Sequence, residues 1–109
     1  MKNLSLGEFE EIALLTVAVL DDQAYGVAII KEIKERLERN VSVGATQTAL
    51  RRMEQKGFLT SEFGETTKMR GGKRKKYFRI TAQGVQALKE ARDARNQLWT
   101  AIPQTILEM

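Results

Sequence analysis

Residues 44–80 read GATQTALRRMEQKGFLTSEFGETTKMRGGKRKKYFRI, and this stretch decides the fold. Ala45, Ala49, Leu50 and Met53 recur at helical spacing and make one apolar face. Gln47, Thr48, Arg51, Arg52, Gln55 and Lys56 fall largely outside it, so a helix is predicted over 44–56, with Gly57 as its C-terminal stop. Residues 58–63 and 75–80 then have strand character, with Phe78 and Ile80 on one side of the second strand and Tyr77 and Arg79 on the other. The connection, residues 64–74, is polar and contains Gly71-Gly72. Helix and β-hairpin follow one another directly.

The hairpin carries the charge. Residues 68–79 hold seven basic residues (Lys68, Arg70, Lys73, Arg74, Lys75, Lys76 and Arg79) and no acidic one. Of the chain's 18 basic residues, the other 11 face 14 acidic ones, a net of −3 outside this segment against +4 for the whole. Positive charge gathered in one place attracts polyanions, nucleic acid above all.

Toward the N-terminus, Ser5-Leu6-Gly7-Glu8 has the form of a capping box opening a helix. From Ile12 to Leu20 that helix is apolar on nearly every side, more than a small protomer can cover, which points to a partner subunit. Asp21-Asp22-Gln23 starts a turn. Tyr25, Val27, Ile29, Ile30, Ile33 and Leu37 then mark a second, amphipathic helix ending near Asn40. Val41-Ser42-Val43 alternates enough for a very short strand. Toward the C-terminus, Thr81 is a plausible N-cap for a last helix carrying Val85, Leu88, Ala91, Leu98, Trp99 and Ile102, which Pro103 ends.

The 109 residues suit one compact unit, and 42% apolar with 29% charged residues is ordinary for a folded protein. The absence of Cys and His removes disulfides, thiolate nucleophiles, Cys-based zinc sites and the commonest general base. No paired carboxylates suggest a cleft, so no enzyme and no cofactor are expected. No signal peptide is visible, and a nine-residue apolar run is too short for a bilayer. A cytoplasmic protein without membrane contact is expected.

The element order predicts an α+β, mainly α, winged helix-turn-helix over residues 1–80 with a C-terminal dimerisation helix over 81–109. Its third helix suits the major groove of double-stranded DNA, and its basic hairpin suits phosphates or the minor groove. Candidate DNA contacts are Gln47, Thr48, Arg51 and Arg52 from the helix. Lys68, Arg70, Lys73, Arg74, Lys75 and Lys76 are the candidates from the wing, with Lys2 a further phosphate contact. Arg52 has the alternative of pairing with Glu54 or the preceding helix. Homodimer contacts are assigned to Leu14, Leu15, Val85, Leu88, Leu98, Trp99 and Ile102. Tyr25 is placed between the first two helices. The competing class is a winged-helix protein-interaction module whose basic hairpin binds an acidic partner.

Tyr25-Gly26-Val27 through Ile30, Leu50 through Leu59, and Arg70 through Thr81, with Gly84 and Leu88, resemble PadR-type transcriptional regulators over essentially the whole chain. The resemblance implies a dimeric winged-helix DNA-binding protein, mostly repressors in that family, several of them responsive to small aromatic molecules. It leaves two readings for Trp99: an aromatic of the dimer core, or a stacking platform for a flat aromatic effector. Thr46 and Gln47 depart from the family's apolar–aromatic pair, and Gln47 can instead bond a phosphate or an adenine edge.

Overall fold

The computed structural model describes residues 6–64 and 74–109. The elements run α1 (Glu8–Leu20), a 3-10 turn (Asp21–Gln23), α2 (Gly26–Leu37), α3 (Val43–Gln55), β1 (Leu59–Phe63), β2 (Lys76–Ile80), α4 (Ala82–Ala101) and a short α5 (Gln104–Leu107). The expected winged helix-turn-helix is present, with a long helix after the wing. β1 and β2 pair antiparallel in the register Leu59↔Ile80 through Phe63↔Lys76.

The ends of the helices differ from the sequence reading. α1 starts at Gly7 rather than Ser5, which lies outside the described residues. The Gly7 N–H donates to Glu10 Oε1 at 2.9 Å, and the same carboxylate is held by Lys56 of the α3 terminus at 3.1 Å. α2 stops at Leu37, where Glu38 turns left-handed (φ 51°, ψ 39°). Residues 41–43 are not a strand. Ser42 caps α3, its Oγ accepting the Ala45 N–H at 3.0 Å, and Val43 is the first helical residue. The strand-like contact with the wing comes before α2 instead: the Phe78 N–H donates to Ala24 O at 2.8 Å, and Tyr25 bridges to Tyr77. Gly57, at φ 84°, ends the turn after α3 as expected.

The core joins α1, α2, α3 and the hairpin through Leu14, Val17, Ile29, Ile33, Leu50, Met53, Phe58, Leu59 and Phe78. Leu14 is therefore withdrawn from the dimer face: it has no exposed surface and packs inside its own protomer. Its neighbour Leu15, about 100° further round the helix, points outward. Thr46 is also fully buried, and its hydroxyl is satisfied by donating to Ser42 O at 2.8 Å.

α4 begins against this core and then leaves it. Thr81 caps it, its hydroxyl donating to Gly57 O at 2.7 Å and accepting the Gly84 N–H at 3.0 Å. Gly84 is the one buried residue of α4, and Ala87 and Leu88 lie partly against the core. Beyond Ala91 every α4 residue is exposed. The molecule is consequently 60 Å long, with a radius of gyration of 16.5 Å against roughly 13 Å for a compact chain of 100 residues.

Candidate nucleic-acid interface

The buried side of α3 is Thr46, Ala49, Leu50 and Met53. At about 100° per residue the opposite side carries Gly44, Thr48, Arg51 and Gln55, all exposed. Thr48 and Arg51 thus sit at the centre of the open face. Gln47 lies on the α2 side, where its Nε2 would be 3.3 Å from a Cβ added at Gly26. Arg52 lies on the α1 side, lining a shallow groove with Glu10, Ala45 and Thr48. It does not pair with Glu54, whose carboxylate accepts the Ser61 hydroxyl at 2.6 Å and ties α3 to β1. Gln55 and Val43 are exposed on the same helix, and Val43 is the first residue of α3 rather than part of a strand.

Electrostatics separates the cations into two groups. Lys56 and Arg39 are consumed inside the protomer, by Glu10 at 3.1 Å and Glu8 at 2.9 Å. Burial acts to raise the Glu10 carboxyl, but the Gly7 N–H, the Lys56 ammonium and the nearby Arg52 charge outweigh it and hold the group below its ordinary 4.5. The hydrogen bond from Arg39 is the main reason that Glu8 is also lowered. Among the described residues no carboxylate pairs with Arg51, Lys75 or Lys76.

The described part of the wing places Arg74, Lys75 and Lys76 where the chain enters β2. The Lys75 ammonium lies 4.1 Å from the Tyr25 ring centroid, and Tyr25 meets Tyr77 edge-on at 5.4 Å with an interplanar angle of 67°. Tyr25 is thus a buttress of the wing, not a spacer between α1 and α2, because the extended residues before α2 run beside β2. Lys76 lies 5.9 Å and 5.7 Å from the rings of Phe63 and Phe78. Such cation–π contacts hold long side chains at modest cost. Lys68, Arg70, Lys73 and Lys2 lie outside the described residues.

A second open surface runs between α1 and α4. Glu11, almost wholly buried, accepts from Arg95 at 2.6 Å and ties the two helices together. Beside this pair is a groove of about 350 Å³ walled by Leu15, Val85, Leu88, Arg92 and Trp99. Leu98 is 73% and Trp99 61% exposed. Ile102 is half-buried. Among the described residues, no helix is long and apolar enough to cross a membrane and no acidic group is placed to hold a metal.

A helix-turn-helix whose open recognition face continues into a basic hairpin defines a winged helix, here extended by a long terminal helix. The chain belongs to the PadR-like family of transcriptional regulators, whose family model matches residues 14–90. These are DNA-binding transcription regulators, not enzymes. The fold is similar to a PadR family regulator of Eggerthella lenta (26% identity over 94% of this chain and 88% of that one, TM-score 0.71). It is likewise similar to a PadR family regulator of Clostridium difficile (29% identity, 87% and 97%, TM-score 0.67). A PadR-like transcription factor of Bacteroides fragilis aligns at 27% identity over 83% and 82% of the two chains, with a TM-score of 0.70. No curated protein matches the chain.

Proposed function

We propose that the protein is a cytoplasmic, homodimeric repressor that binds a palindromic operator in duplex DNA. Thr48 and Arg51 at the centre of the α3 face, flanked by Gln47 and Arg52, contact bases and phosphates. Lys68, Arg70, Lys73, Arg74, Lys75 and Lys76 add phosphate contacts from the wing. The observation that carries this reading is the division of the cations: Arg39 and Lys56 are paired with Glu8 and Glu10 inside the protomer, whereas among the described residues no carboxylate pairs with Arg51, Lys75 or Lys76.

The dimer rests on α4. Its outer half is held to the protomer by the Arg95–Glu11 pair but buries no side chain there, yet it bears Leu98 and Trp99, and α1 exposes Leu15 beside it. Packing α4 across α1 of a two-fold mate covers these side chains and spaces two recognition helices about one DNA turn apart. A flat aromatic effector stacking on Trp99 in the α1–α4 groove would bias that spacing and relieve repression.

The test is binding of the full chain to duplex from upstream of its own gene, against random duplex, across a salt series. Arg51→Ala should cost roughly 1–3 kcal/mol on the operator and less on random DNA. Equal loss on both would make Arg51 a phosphate contact. Failure to prefer any duplex would overturn the operator reading in favour of a protein-interaction role.

A further inference from the structure

We infer that the first turn of α3 reads a thymine 5-methyl group, with Val43 making the contact and Gly44 allowing the approach it needs. The inference rests on the proposed function, in which α3 is the helix that enters the groove.

Two features of that turn have no explanation within the protomer. Val43 is 64% exposed at the first position of α3. It is an exposed aliphatic side chain on the α2 flank of the helix, in line with Gln47 and about 20° from the line of buried Leu50, beside the open side that carries Gly44, Thr48 and Arg51. A β-branched residue gains nothing there from helix propensity. Gly44 is next to it, on the outermost line of the helix. A Cβ added at Gly44 meets nothing within 4 Å, so no neighbour in the protomer requires a glycine. Glycine in a helix is less stable than alanine, and its conformation here is helical, so the chain gives up stability for a bare backbone on its outer surface. A bare backbone is useful where something outside the protomer comes close.

Base edges in the major groove offer donors, acceptors and one apolar group, the thymine methyl. An aliphatic side chain at the leading turn of the groove-facing helix matches that group and no other. Val43 and Gln47 are four residues apart on the same flank, about 6 Å along the axis, less than two base-pair steps. Gln47 is suited to the N6 and N7 edge of adenine. The first two turns of α3 therefore select A·T pairs lying within two steps of each other, ahead of the base or phosphate met by Arg51. Arg51, Lys75 and Lys76, with which no carboxylate pairs among the described residues, favour DNA over an apolar protein partner at this turn.

The experiment begins with selection of tight-binding sequences from random duplexes by the full-length chain, with no operator assumed. Each thymidine of the selected half-site is then replaced by deoxyuridine, which removes the methyl group alone. At one thymidine per half-site the wild type should lose about fourfold in affinity, the worth of one buried methyl group. Val43→Ala should bind the thymidine and deoxyuridine duplexes alike at that position, and Val43→Ile should restore the difference. Gly44→Ala should bind the selected duplex more weakly while its thermal midpoint stays equal or rises, a combination that a purely structural glycine would not give. Uracil tolerated at every position, discrimination retained by Val43→Ala, wild-type affinity in Gly44→Ala, or half-sites without thymine would each overturn the inference and leave operator binding intact. Selection that returns no preferred sequence would overturn the operator reading itself, and this inference with it.

Discussion

Replacing Gly84 by alanine should destabilise the protein through the base of α4. A Cβ there would lie 2.8 Å from Ile80 Cγ1 and 3.2 Å from the Phe58 carbonyl carbon, and closer still to the Phe58 oxygen. Two of these three atoms are backbone and cannot turn away as a side-chain end can. Relief requires α4 to lift from the α3–β1 connection. That movement stretches the Thr81 N–H bond to Phe58 O (3.0 Å) and the Thr81 hydroxyl bond to Gly57 O (2.7 Å). Overpacking costs about 1–3 kcal/mol, and each weakened hydrogen bond adds up to about 1 kcal/mol. The better helix propensity of alanine returns at most about 1 kcal/mol. The terms together span a loss of about 0–5 kcal/mol, with a middle value of about 2–3 kcal/mol, or roughly 10–20 °C in Tm for a domain near this size. Thermal unfolding followed by circular dichroism, at one fixed protein concentration so that any assembly is held constant, reads it directly. Gly44→Ala, which meets nothing within 4 Å, is the matched control and should melt no lower than the wild type. A Gly84→Ala protein as stable as the wild type would refute the close approach of α4 to Phe58.

The wing should carry salt-dependent affinity: changing Lys73, Arg74 and Lys75 together to alanine should flatten log K against log salt by about 2–3 per protomer, and an unchanged slope would remove them from the contact set. Leu98→Asp with Trp99→Ala should shift the protein toward monomer in sedimentation at low micromolar concentration and lower operator affinity with it. A wild type that sediments as a folded monomer, with Trp99 emission typical of water-exposed indole, would sink the α4 dimer. Acid should weaken the fold in part through Glu10. A carboxyl lowered in the folded state contributes stability above its ordinary 4.5, and that contribution is lost as pH falls through and below this value. Glu10→Gln should therefore flatten the acid side of a stability–pH curve measured by urea unfolding. An identical acid slope in wild type and variant would mean that the Gly7 and Lys56 partners do not stabilise the ionised form.

Much of this protein is determined by short-range sequence pattern. The apolar spacing of Ile29, Ile33 and Leu37 and of Ala49, Leu50 and Met53 makes α2 and α3, because 3.6-residue periodicity is a local property. The alternation at Tyr77 to Ile80, the Gly57 stop and the seven basic residues of 68–79 make the hairpin and its charge, and both again lie within a few residues of chain. Three separated motifs in register were enough to place the family. What only the tertiary structure decided is rotation and partnership. Leu14 and Leu15 are equally apolar, and the positions of α2 and α3 alone put the first in the core and the second outside. Arg51 and Arg52 are the same residue type one step apart, and that step of about 100° sends one to the open face and the other beside Glu10. Ser42 could begin a strand or cap a helix; Ala24 and Tyr25 take the place beside β2, and Ser42 accepts the Ala45 N–H as the cap of α3. Tyr25 became a wing buttress for the same reason. Periodicity records which residues share a face of their own element, whereas the direction in which that face points is set by the elements packed around it.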